Sequence, residues 1–489
     1  MRPLLVAAQV ALVGVVFGVG VGFLIDAAMA DLLRSFQPLP VWDTGFQPAV
    51  FVRGAALGLL LPFLATLLPV WRAVRVSPIE AISTAHRAAS GGLAPAVRRI
   101  PLPGSSVAQL PFRNVLRAPR RTLLTAFGIA AAIATLVGVV GVVDSFLATI
   151  DRGDTEIRGD QPDRVTVTLD SYVPADSAPV DAVAGAASVG ASEAGLVVPG
   201  ALDPGRVDEI EILLSATDFD SALWRPTAIE GALSTDEPGL VISEKAAGDL
   251  GVSIGENVRV RLPRREGLTG YSYFETDLPV LAIHPNPYRF VAFIDRRWAG
   301  VMNLEGVVNV VQVIPAAGSS PADVQRELFG TDGVASVEPV AVLAQAIRDR
   351  LGETLGIFDV IQAVVLLLAL LIAFNSTAIN MDERARENAT MFAFGLRARA
   401  VMGVAVTESV IVGVLGTVLG VLGGRILLGW LVEVLIPETF PDISIEVALA
   451  PSTIVTAIGF GVLAVAVAPL FTMRRLRRMD ISSTLRVVE

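Results

Sequence analysis

The chain has 489 residues, 53% of them hydrophobic, and a formal net charge of −10, an apolar load that points to a membrane protein rather than a soluble domain. It has no cysteine and only two histidines, His86 and His284, which excludes disulfides, thiolate nucleophiles and cysteine–zinc sites and leaves little for a histidine-based metal centre. Lys245 is the only lysine and sits in Ile-Ser-Glu-Lys-Ala-Ala, so a Walker A loop is excluded and any ATP that drives the chain is hydrolysed on another subunit.

A bilayer core needs about 20 apolar residues per helix. Residues 4–25, 50–71, 121–147, 355–379, 401–424 and 452–473 meet that length and predict six transmembrane helices. The first pair, Val6–Ile25 and Phe51–Trp71, returns in order at the other end as Val404–Leu428 and Ile454–Phe471. Both first members carry glycine at every fourth position: Gly14, Gly18 and Gly22, then Gly416, Gly420 and Gly424. Both second members close on proline, an aromatic and arginine: Pro69, Trp71, Arg72 and Pro469, Phe471, Arg474. An internal repeat of this kind predicts a duplicated unit whose first copy is incomplete. Arg2 and Ala28-Met29-Ala30 also fit a cleaved signal peptide, but a disposable leader has no reason to match Gly416–Gly424. The glycine runs let helix backbones approach closely, either within the chain or at a seam between two halves or subunits.

Between the second and third stretches, residues 72–121 hold nine arginines (72, 75, 87, 98, 99, 113, 117, 120 and 121) against one acid, Glu80. The turn 381–400, with Arg384, Arg386, Arg397 and Arg399, and the tail, with Arg474, Arg475, Arg477 and Arg478, are also basic. All three belong in the cytoplasm by the positive-inside rule, so both termini are predicted cytoplasmic. Arg113, Arg117, Arg120 and Arg121 read first as membrane-interface anchors; anionic headgroups or an ATPase are other partners for them.

Residues 151–350 differ in character, with 31 acids against 16 basic residues, a balance of −15. That surface disfavours nucleic acid and anionic lipid. Alternating patterns predict strands over Arg164–Leu169, Glu209–Ser215, Asn257–Leu262, Leu278–Ile283, Phe290–Ile294 and Val307–Ile314. Helices are expected over Ser320–Leu328, N-capped by Ser320, and over Val340–Leu351, running into the fourth span. Asp176–Gly200 is rich in small residues and proline and reads as a loosely built connection. His284, in His-Pro-Asn-Pro-Tyr, reads as a turn residue with no Ser–Asp constellation nearby.

Beyond the fourth span, Asp382–Arg399 is short and charged. Glu383 and Glu387 share a helix face, with Arg384 and Arg386 between them and Met391, Phe392 and Phe394 following. Such a helix suits a groove on a partner or the lipid headgroup layer. Glu408, just inside the fifth span, needs a partner such as arginine or backbone. Its counterpart in the first repeat is Gln9, which argues against a proton relay at both sites. Asp26, Asp144, Asp359 and Arg425 mark outer span ends.

Three motifs carry a family resemblance. Glu383-Arg-Ala-Arg-Glu-Asn-Ala-Thr-Met-Phe-Ala-Phe-Gly-Leu396, ahead of the span with Glu408, resembles the cytoplasmic signature of FtsX-like (MacB/LolC-type) ABC transporter permeases. Phe112–Leu124 resembles the entry helix of that repeat, and Gly239–Glu256 a strand–helix–turn of its periplasmic domain. Asn388-Ala389 and Phe392 depart from the family's Ile-Gly and Arg.

The resemblance implies an α-helical membrane protein with six transmembrane helices and one mixed α+β extracytoplasmic domain. Its parts are a partial first permease repeat (1–75), a cytoplasmic arginine-rich linker and entry helix (76–120) and a transmembrane helix (121–147). A MacB-like periplasmic domain (148–352), an FtsX-like permease domain (353–476) with a coupling helix near 382–399, and a cytoplasmic tail (477–489) follow. It implies the permease subunit of a type VII ABC transporter in the cell membrane, not itself an enzyme. A separate ABC ATPase docks on Glu383, Arg384, Arg386, Glu387, Met391, Phe392, Phe394 and Gly395, moving the outer domain to export or extract an envelope substrate. The alternative is an ATP-coupled regulator or scaffold of a cell-wall enzyme. Implied partners are the ATPase, a second permease half or a second copy, the bilayer, and an envelope protein or lipoprotein; no cofactor, catalytic residue or metal ligand is expected.

Overall fold

The structure, a computed structural model, describes residues 9, 11–20, 22–23, 48–75, 106–117, 119–203, 205, 209–266, 270–342, 362–372, 374–375, 391 and 397–463. It divides into two compact units: Met1–Leu136, Arg350–Gly423 and Val455–Glu489 form one, Val137–Asp349 and Gly424–Ile454 the other.

The first unit is helical. It contains α1 (Ala11–Gly20), α2 (Pro48–Arg75), α3 (Ser106–Arg117), the start of α4 (Pro119–Arg158), α8 (Gln362–Ile372), most of α9 (Ala398–Trp430) and the end of α10 (Pro451–Leu463). Among the described residues two helices, Thr122–Arg158 and Gly403–Glu438, are long and apolar enough to cross a membrane. The shorter apolar helices Ala11–Gly20, Pro48–Leu64, Gln362–Ile372 and Pro451–Leu463 overlap the other four predicted spans.

Glycine decides how closely α9 approaches α4. A Cβ on Gly416 would lie 2.9 Å from Ala126 O, and one on Gly420 2.6 Å from Ile133 Cβ, so any larger residue there forces the backbones apart. Gly424 is also buried. Of the first run, Gly22 abuts Phe51, whereas Gly14 and Gly18 meet nothing within 4 Å among the described residues.

The second unit holds the α+β domain. Its strands are β1 (Val165–Pro174), β2 (Val189–Asp203), β3 (Ile210–Thr217), β4 (Glu230–Gly231), β5 (Leu240–Ser243), β6 (Asn257–Glu266), β7 (Gly270–His284), β8 (Val291–Asp295), β9 (Val307–Pro315) and β10 (Val334–Pro339). Three short helices join them: α5 (Ala178–Ala184), α6 (Glu244–Leu250) and α7 (Pro321–Leu328). The strand order is β10-β1-β9-β2-β3-β8-β5-β7-β4, with β6 paired to β2 and β7.

All six expected strands appear: β1, β3 and β8 begin one residue later than expected, and all but β8, which keeps five residues, run longer. Ser320 does cap α7, in a reciprocal capping box with Asp323, a feature worth about 1 kcal/mol in such helices. Residues 340–342 begin the helix expected to follow β10, and the remainder of that prediction lies outside the described residues.

The expectation for Asp176–Gly200 needs correction. Instead of a loose connection it forms α5 and most of β2, a 15-residue strand. Pairing on both sides overrides the weak strand propensity of its glycines and alanines. Residues 189–195 of β2 pair with β9, and residues 196–202 pair with β3. The strand therefore passes from one core to the next. The first core packs Val165, Val167, Val311 and Val313 under Val324 and Leu328 of α7. The second packs Leu202, Leu214, Ile242, Val260 and Ile294 under Ala246, Ala247 and Leu250 of α6.

Candidate functional site

Of the predicted coupling residues, Glu383, Arg384, Arg386, Glu387, Phe392, Phe394 and Gly395 lie outside the described residues. Met391 is helical and half-buried. Arg113 is half-buried on α3 and Arg120 exposed on α4; Arg117 and Arg121 belong to the same two helices. Glu408 is buried at 8% exposure and accepts a 3.4 Å hydrogen bond from Asn114 Nδ2, which is equally buried. An amide from α3 thus contacts the carboxylate that the sequence left in search of a partner.

The densest polar arrangement lies elsewhere, in the second unit. There the C-terminal half of α4, the β7–β8 turn and the segment after α9 meet. Gly138, Gly141, Ser145 and Arg152 recur on α4 at helical spacing, so they share one face. A Cβ on Gly138 would lie 2.8 Å from Leu427, and one on Gly141 2.7 Å from Leu428 and 2.9 Å from Leu449. Asp144 Oδ2 accepts from Ala450 N at 2.9 Å and from Thr453 Oγ1 at 2.7 Å, tying the start of α10 to α4. Ser145 Oγ accepts from Ala448 N at 3.0 Å and lies 3.1 Å from Ala448 O. Arg152 grips Glu446 through both guanidinium nitrogens.

The same segment also binds the α+β domain. Arg289 N donates to Asp442 O at 2.8 Å, Ser444 N donates to Pro287 O at 2.8 Å, and Tyr288 and Ile443 form a β-bridge. Arg289 Nη2 bonds Asp442 Oδ1 at 2.5 Å while Nη1 lies 3.4 Å from Asp249 Oδ2. Gly153 completes the junction, since a Cβ there would lie 2.9 Å from the Tyr288 ring. Glu446 is 61% exposed and Asp442 57%, so each ion pair stabilises by only about 0–1 kcal/mol. The backbone bonds and glycine contacts hold the junction, and the ion pairs fix its register.

His284 organises the turn from below. It ends β7 and is fully buried. Its Nδ1 accepts from Asn286 N at 3.1 Å, which leaves Nε2 to donate to Val291 O at 3.2 Å. Phe293 lies edge-on at 5.1 Å. Burial pushes the imidazole down to about 4, so it is neutral at physiological pH. The turn reading of the sequence thus needs correction: the turn begins after His284, whose side chain is its buried brace. Tyr288 is raised from its usual value by burial and by Asp154.

Where α4 ends, Gly159 adopts φ +55° beneath Trp224, a left-handed C-terminal residue that glycine accommodates without strain. Trp224 Nε1 donates to Glu156 O at 3.1 Å, and Arg164 stacks on the indole at 4.9 Å. Burial lowers the Arg164 guanidinium to about 10. Val340 N donates to Arg164 O at 3.0 Å, so the strand end leading out of the domain is tied to the residue that enters it. Neither Asp442, Glu446 nor this tie was singled out by sequence, because acids in short loops read as solvated. Among the described residues no cluster of three or more histidine or acidic side chains is arranged to hold a metal.

A family model described as the FtsX-like permease C-terminal domain matches residues 360–481, the stretch that contains α8, α9 and α10. Permeases of that family are membrane components that work with a separate ABC ATPase and are generally not themselves catalytic. The extracellular domain of YknZ, a noncanonic ABC-type transporter from Gram-positive bacteria, is similar at 14% identity. That similarity covers 35% of this chain and 98% of the other, with a TM-score of 0.25. The periplasmic region of MacB from Actinobacillus actinomycetemcomitans is similar at 10% identity, over 39% of this chain and 95% of the other, with a TM-score of 0.27. No curated protein sequence matches. Over residues 360–481 this chain is therefore similar to the C-terminal domain of FtsX-like permeases.

Proposed function

We propose that this chain is the permease subunit of a type VII ABC transporter, with six spans, cytoplasmic termini and residues 148–352 outside the cytoplasm. A separate ATPase docks on the helix near 382–399, and its cycle moves the α+β domain to export or extract an envelope substrate. The observation that carries this reading is the junction at residues 442–453, which is bonded both to α4 and to the α+β domain. A displacement of the segment between the fifth and sixth spans is thereby handed to the domain through short, directional bonds rather than through a loose loop. The single lysine of the chain, Lys245, supports the assignment of ATP hydrolysis to a partner.

The test is co-purification with a candidate ABC ATPase co-expressed with this chain. Glu387→Arg and Phe392→Asp are expected to abolish the association while the chain still inserts and folds. Normal retention of the ATPase by both variants would overturn the docking assignment.

A further inference from the structure

Strand β3 alternates strictly: Ile210, Ile212 and Leu214 point into the core, Glu211 and Leu213 outward. Its neighbour β2 sets Ala201 opposite Glu211 and Pro199 opposite Leu213. Ala201 also pairs with Arg261 of β6, which in turn pairs with Glu275 of β7. A row Glu211–Ala201–Arg261–Glu275 therefore crosses four strands on one face, with its smallest member between two long side chains. The result is a trough of about 800 Å³, floored by Pro199 and Ala201 and closed at one end by Arg289, Phe290 and Asp442. Sites for small ligands occupy roughly 300–1,000 Å³.

Apolar groups remain open in this trough: Leu213 is 45% exposed, Phe290 36% and Tyr273 64%. One such residue alone would carry no meaning, but here they share a recess. The charges are unequally committed. Arg261 is paired with Glu209 and Glu275 and stacks on Tyr273 at 4.7 Å. Arg289 is held by Asp249 and Asp442. Glu211 has no side-chain partner among the described residues, and the surrounding 151–350 region carries a balance of −15.

We propose that this trough binds a short cationic amphipathic peptide, with apolar side chains on Leu213 and Phe290 and one lysine or arginine paired with Glu211. Both cations of the trough are already neutralised, so the ligand supplies the positive charge. The wall from Glu209 to Leu213 runs about 13 Å, the length of four extended residues. An open, half-charged trough suits a peptide rather than an acyl chain, which would be left partly in water. Because Arg289 and Asp442 close one end, an occupant would touch the junction that joins the domain to residues 442–453.

The test uses the full chain in nanodiscs of neutral lipid, with N-acetylated Leu-Phe-Leu-Lys amide as the probe. Its glutamate counterpart Leu-Phe-Leu-Glu and empty nanodiscs are the controls. Saturable binding of the lysine peptide is expected, weakened roughly tenfold by Glu211→Gln and also by Leu213→Ser. No saturable binding beyond empty nanodiscs, equal binding of the glutamate peptide, or unchanged affinity in Glu211→Gln overturns the proposal. No ATPase is present in this measurement, so its failure is separate from failure of the coupling reading.

Discussion

At the scale of single residues, the enclosed His284 makes the fold acid-sensitive. Its ring is neutral in the folded chain down to about pH 4, whereas an unfolded histidine takes a proton near pH 6.5. The unfolded state therefore binds more protons between those values. The stabilisation is complete above pH 6.5 and is lost progressively as the pH falls toward 4, a change on the order of 3 kcal/mol. Thermal unfolding at pH 7.5 and pH 5 should show the wild-type chain losing stability on acidification. His284→Asn, which keeps an acceptor for Asn286 N, should flatten that dependence even if its melting temperature is lower throughout. The prolines around His284 make the turn legible in sequence. The burial is not, because it depends on Phe293 and Val291, supplied by the next strand.

At the scale of elements, α4 and the segment that follows α9 depend on Asp144. One carboxylate oxygen accepts from Ala450 N and Thr453 Oγ1 and so ties the start of α10 to α4. Hydrogen bonds to a charged acceptor contribute about 1.5–3 kcal/mol each. Asp144→Ala should therefore loosen residues 444–453, seen as faster amide hydrogen exchange there and little change in β1 or β9. Sequence gave Asp144 a place at the outer end of a span but no task. The glycines of α4 were also hidden, because a helix apolar on every face shows no period that marks its packing side. Gly416 and Gly420 were legible, since their fourfold spacing stands out and both abut α4. The strands of the α+β domain were found where alternation was strong. β2 was missed because its small residues are chosen for close neighbours rather than for strand propensity.

At the scale of the whole molecule, the proposed placement of the α+β domain outside the cytoplasm rests on the arginines of the loops that flank the predicted spans. A phosphatase reporter inserted at Ser319 is expected to be active, and a cytoplasm-dependent fluorescent reporter at the same position dark; the reverse pattern would overturn the topology. The shared strand β2 has a further consequence for anyone shortening this domain. Cutting the chain at Gly195 would leave residues 196–202 with β3 but part both β1 and residues 189–195 from β9, baring the two edges of that strand. The first core is then divided between two fragments, and truncations should keep residues 165–339 intact or expose β9 to aggregation.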